Sequence, residues 1–158
     1  MITQALTFVG TANAIHYCGA QPVFLDVDDA LGLDPENLEL FLEKHAVLDE
    51  GVCRNRNSGR RIQACIPVHV FGNLCDMERL VAICRTWNIP IVEDAAEALG
   101  SFRQGQHAGT FGDVGVLSFN GNKIITSGGG GMVLTRSEEL GNRAKFLSTT
   151  AKQSHPYE

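Results

Sequence analysis

Alternation of short apolar runs with amphipathic stretches is the strongest constraint on what this chain can become. Residues 1–6, 22–27, 62–70, 90–93, 114–119 and 131–135 read as strands, and the second of these is short and mostly apolar, as a buried parallel strand should be. Between them, 7–18 reads as a helix stopped by Gly19, and 34–44 as a helix capped by Asp34 with Pro35 in its first turn. Residues 76–87 form an amphipathic helix capped by Asp76, with Leu80, Ile83 and Cys84 on one face. Residues 137–147 make a last helix, capped by Ser137 with Glu138 and Glu139 in its first turn. The rhythm implies an α/β fold, a three-layer sandwich around a mostly parallel sheet. Residues 51–61 break the rhythm: Asn57-Ser-Gly59 is turn chemistry, so a protruding hairpin is expected, carrying Arg54, Arg56, Arg60 and Arg61.

Chemistry concentrates where strands should end. Ser118-Phe-Asn-Gly-Asn-Lys123 follows an apolar run and precedes Gly128 to Gly131, a turn that lets backbone approach a ligand closely. A lysine in a crowded, dry pocket can lose its proton and attack a carbonyl, although taken alone Lys123 reads first as a solvated surface charge. Upstream, Asp94 closes another apolar run, where an open parallel sheet presents its ligand crevice; a helix N-cap is the competing reading. A strand-end Asp, then a strand-end Ser with a Lys five residues on, fits pyridoxal phosphate chemistry. The glycine run lacks the Gly-x-Gly-x-x-Gly spacing of dinucleotide sites.

Five blocks then occur in one order: Thr7-Phe-Val-Gly-Thr-Ala-Asn-Ala14, Pro22-Val-Phe-Leu-Asp-Val27, Pro67-Val-His-Val-Phe-Gly72, Glu93-Asp-Ala-Ala-Glu-Ala-Leu-Gly100 and Ser118 to Met132. Together they resemble the DegT/DnrJ/StrS-type sugar aminotransferases, a branch of the fold-type I pyridoxal phosphate enzymes. The lysine block and the tail Thr149-Thr-Ala-Lys-Gln-Ser-His-Pro-Tyr157 are most similar to the nucleotide-sugar 4-aminotransferases of legionaminic acid and bacillosamine pathways. The resemblance implies Lys123 as the Schiff-base lysine, Asp94 as partner of the pyridinium nitrogen, Ser118 as a phosphate-binding hydroxyl and Phe8 as the aromatic stacked on the ring. A core Phe at a helix start is the plainer reading of Phe8. Glu97 would sit one helical turn from Asp94 and face the same ring; relatives carry Gln or His there, and a Glu would need a proton or a bridging water. His69 reads either as a structural hydrogen-bonding residue or, with Asn120 and Asn122, as a substrate contact. The arginine hairpin is either a solvated basic loop or a contact for the substrate diphosphate.

The implied reaction moves an amino group, from glutamate as donor, to the 4-keto carbon of a nucleotide-linked 6-deoxy sugar. It implies a homodimer with the site at the subunit interface. It also implies that these 158 residues are part of the cofactor-binding large domain, with an N-terminal phosphate-cup segment and a C-terminal small domain lying outside them. A non-catalytic truncated piece or interaction subunit is the alternative. Composition narrows the rest. A net charge of −5 without a basic tract argues against nucleic acid, and no apolar run approaches a membrane span. Cys18, Cys53, Cys65, Cys75 and Cys84 are odd in number and never spaced Cys-x-x-Cys, so reduced, mostly buried thiols in a cytoplasm are expected rather than a metal site.

Overall fold

The computed structural model describes residues 1–152. β1 (Ile2–Gln4) leads through α1 (Val9–Tyr17) to β2 (Val23–Leu25), then α2 (Pro35–His45) and a hairpin of β3 (Ala46–Asp49) and β4 (Val52–Asn55). β5 (Cys65–Ile66), α3 (Met77–Thr86) and β6 (Val92–Asp94) follow. A small hairpin of β7 (Phe102–Arg103) and β8 (Gln106–His107), then β9 (Val114–Ser118), β10 (Gly131–Leu134) and α4 (Glu138–Ser148), complete the order. The helix starts are set by side chains that accept otherwise orphaned N–H groups: Asp34 accepts from Glu36, Asp76 from Arg79 and Ser137 from Leu140.

β1 pairs in parallel with β2 on one side and β5 on the other, and β6 pairs in parallel with β9. Parallel bridges Cys65↔Ile91 and Val68↔Asp94 join these ladders, so the order is β2-β1-β5-β6-β9-β10 with only β10 antiparallel. The chain leaves β1 toward β2 and returns past β1 to β5. Such a switch point opens a crevice beyond the carboxyl ends of the strands. On the sheet face that carries Ile2, Cys65 and Ile91, the buried Leu38 and Leu42 of α2 and Met77, Leu80 and Ile83 of α3 pack as one cluster. Each such side chain contributes roughly 1.5–3 kcal/mol.

Four local readings change. β2 is an edge strand, and Phe24 is half exposed rather than buried. The hairpin begins directly after α2 and turns at Glu50-Gly51, both at positive φ, as a two-residue connection requires. Asn57-Ser-Gly59 instead forms a second turn, gathered by the Asn55 side-chain oxygen. Residues 62–70 shrink to a two-residue strand, because Pro67 has no N–H and the Val68 N–H is taken by the Gln4 side chain. Residues 95–100 form tight turns through Ala98→Ala95 and Ser101→Ala98 backbone bonds, not a helix.

Gly115 in β9 is buried, and a Cβ there would fall on the Gly109 backbone, 2.5 Å from its Cα. Gly115→Ala is expected to cost about 3 kcal/mol by urea denaturation, because backbone cannot yield as a side chain can.

Candidate active site

The parallel sheet delivers the carboxyl ends of β1, β5, β6 and β9 to one edge. Asp94 is held there twice. Its backbone N–H donates to Pro67 O (2.9 Å) and its carbonyl accepts from the His69 N–H (3.0 Å). Its Oδ2 accepts from the Thr11 hydroxyl at 2.7 Å and its Oδ1 from the Ala96 N–H at 3.2 Å. Thr11 is buried on α1, and since it donates to Asp94 it accepts from Thr7 (2.8 Å). No ion pair reaches Asp94 among the described residues. Its carboxylate therefore has fixed orientation and spare lone pairs, which suits a cationic N–H on a ligand.

Lys123 lies in the turn after β9, its N–H donating to Asn120 O (3.0 Å) and its side chain only 15% exposed. Its Nζ donates to Glu97 Oε1 at 3.2 Å, while Glu97 Oε2 accepts from the Phe71 N–H at 2.9 Å. The Phe71 bond holds the Glu97 carboxyl below the ordinary value of 4.5; partial burial opposes this and Lys123 adds to it. Glu97 is thus a carboxylate that couples the turn after β5 to the lysine. It reaches that position through the tight turns of 95–100, not through helical spacing from Asp94.

Ser118 ends β9, its hydroxyl accepting weakly from Asn120 N–H at 3.4 Å. Asn120 and Asn122 are exposed and bond each other at 3.0 Å. Phe8 is not a core residue: it occupies the cap position of α1 and is 78% exposed, so its ring is free to cover a ligand. His69 is a correction. It is wholly buried, its Nδ1 accepts from the Cys75 N–H (3.2 Å) and its Nε2 donates to Glu93 (3.0 Å). Accepting an N–H at Nδ1 leaves the ring neutral and both nitrogens occupied, so it reaches no substrate.

Glu93 carried no functional signal in the sequence beyond its place in the Glu93-Asp94 pair. It is fully buried and accepts from His69 Nε2, Gly109 N (2.8 Å), Phe111 N (2.6 Å) and Gly112 N (2.6 Å). Thr11 carried none, since a threonine inside a helix has no spacing that betrays its partner.

An acid and a lysine presented from neighbouring strand ends of a parallel α/β sheet define the large-domain architecture of fold-type I pyridoxal phosphate enzymes. Residues 1–157 match the DegT/DnrJ/EryC1/StrS aminotransferase family, and the chain belongs to it. The family's aminotransferases are pyridoxal phosphate-dependent. EpsN of Bacillus subtilis (strain 168) is 40% identical over 95% of this chain and 36% of its own length. The GDP-perosamine synthase of Caulobacter vibrioides is 36% identical over 93% of this chain and 36% of its own. The crystal structure of the aminotransferase TlmJ from Streptoalloteichus hindustanus superposes with a TM-score of 0.81 at 35% identity, over 99% of this chain and 39% of that one. The chain thus spans little more than a third of the length of these relatives. No helix among the described residues is long and apolar enough to cross a membrane.

Burial alone would push the Glu93 carboxyl up, but the bonds from His69, Gly112 and Gly109 outweigh it and hold it below 4.5. A lowered folded value means the stabilisation is present above 4.5 and lost as pH falls through the folded value. Glu93→Gln turns an amide N–H₂ toward N–H donors; it is expected to cost about 3 kcal/mol at pH 7 and to flatten the acid side of the stability–pH curve, read by denaturation from neutral pH to pH 3.

Proposed function

We propose that this chain is the cofactor-binding part of a pyridoxal phosphate-dependent nucleotide-sugar aminotransferase. The observation that carries the reading is that the Lys123–Glu97 pair and the Thr11-held Asp94 both stand at the carboxyl edge of the sheet, within a chain of this family. When bound, pyridoxal phosphate supplies an aldehyde that captures the amino group and a ring that accepts the electron pair freed when a proton leaves the substrate carbon.

The chain's residues do the rest. Lys123 anchors the cofactor through Nζ and then moves a proton at the substrate carbon. Asp94, fixed by Thr11 and Ala96, holds a proton on the ring nitrogen with its remaining lone pairs. Ser118 bonds the phosphate, and Phe8 covers one face of the ring. Glu97 holds Nζ until the cofactor arrives.

The substrate is a nucleotide-linked 4-keto-6-deoxy sugar aminated at C4, with glutamate as donor, in a surface-glycan route of the legionaminic acid or bacillosamine kind. The name of the Caulobacter relative supports a nucleotide-linked sugar. A second copy of the chain closes the site. Phe8, Val9, Phe71, Ile124 and Ile125 expose apolar surface around the carboxyl edge, which supports such a cover. The chain is then the central piece of a longer large domain that works in the cytoplasm.

Incubation with pyridoxal phosphate followed by borohydride should leave a pyridoxyl mass adduct on Lys123 and none on the Lys123→Ala protein. Absence of the adduct from the parent would overturn Lys123 as the anchor. Asp94→Asn should retain that adduct yet slow amino transfer at least about 100-fold, the scale of losing one preorganised electrostatic partner; turnover near that of the parent would remove Asp94 from the mechanism.

A further inference from the structure

At the amino ends of β6 and β9, opposite the Lys123 edge, lies a cavity of about 780 Å³ between the end of α3 and the start of α4. Three arginines line it from three distant segments: Arg61 after the β4 strand, Arg85 on α3 and Arg136 before α4. None of the three has a carboxylate partner among the described residues. Asp113, the one acid lining the cavity, has its Oδ2 engaged by the Ile91 N–H at 2.8 Å. Asn88 and Thr110, also in the lining, donate away to Gly51 O and His107 O.

Three arginines against the single Asp113 carboxylate leave this lining with an excess of positive charge, in a chain of net charge −5. Arginines contributed by three separate segments suit a multiply charged anion with oxygens on several sides. A carboxylate offers two oxygens in one plane and a single charge. The volume is that of a small-molecule site.

We propose that this cavity binds a phosphate-bearing small molecule at a second site, separated from Lys123 by the length of β9, roughly 17 Å. Because β6 and β9 carry Asp94 and Ser118 at one end and border the cavity at the other, occupancy there bears on the same two strands. The inference stands independently of the aminotransferase reading.

Titration calorimetry with inorganic pyrophosphate at near-physiological salt tests it, using the full chain, Arg85→Ala, Arg136→Ala and Lys123→Ala. Pyrophosphate should bind the parent and Lys123→Ala alike, and at least about tenfold more weakly to each arginine variant, one lost charge-assisted contact being worth that much. Arg85→Gln and Arg136→Gln replace any alanine variant that fails to match the parent in far-ultraviolet circular dichroism. No binding to the parent, or equal binding to the arginine variants, overturns the site. Loss in Lys123→Ala would place the anion at the opposite edge and also overturn it. Succinate binding as tightly as pyrophosphate would assign the arginines to carboxylates of a protein partner instead.

Discussion

The buried carboxylate of Glu93 is the interaction on which the site's geometry depends. A charge taken wholly out of water is tolerable only when every lone pair is answered, and Glu93 collects an imidazole N–H and three backbone N–H groups. Those donors come from the turn after β5 and from the loop that feeds β9. The carboxylate therefore locks β5, β6 and β9 to one another at the edge where Asp94 stands next in sequence. His69, neutral and doubly bonded, extends the lock to the backbone of Cys75 at the approach to α3.

Around that lock, acids of one short segment divide their tasks by direction. Successive strand residues point to opposite faces, so Glu93 turns into the protein while Asp94 turns toward α1 and receives the Thr11 hydroxyl. Glu97, carried back by tight turns, reaches across to Lys123 and to the left-handed turn at Phe71. Two carboxylates thus serve the carboxyl edge and one serves the interior. Environment, not residue type, separates them.

The parallel sheet also gives the molecule two unlike ends. At the carboxyl edge lie a paired lysine, an oriented aspartate and exposed aromatic and aliphatic side chains. At the amino edge lie arginines that have no carboxylate partner among the described residues, and a wide polar cavity. Only strands running the same way can sort chemistry like this, since an antiparallel neighbour would return each loop to the other end.

Much of this was legible in the chain itself. Local signals with short reach decided the helices: Asp34, Asp76 and Ser137 cap where such residues should, and Gly19 ends α1. The strand–helix rhythm was enough for a parallel sheet, and Asp94, Ser118 and Lys123 stood out because strand ends are where such a sheet presents ligands. Side-chain partners across the fold were not legible. Nothing near Glu93 or His69 marks them as a buried pair, nothing near Thr11 points 83 residues on to Asp94, and nothing in the turn residues 95–100 says that Glu97 meets Lys123. Strand lengths and edges were decided late for the same reason: Phe24 is exposed because of the order in which strands lie, and β5 stops because Gln4, remote in sequence, takes the Val68 N–H. Caps, turns and periodicity are contests among neighbours, so sequence determines them; hydrogen-bond partners and burial are contests among everything the fold brings together, so only tertiary structure decides them.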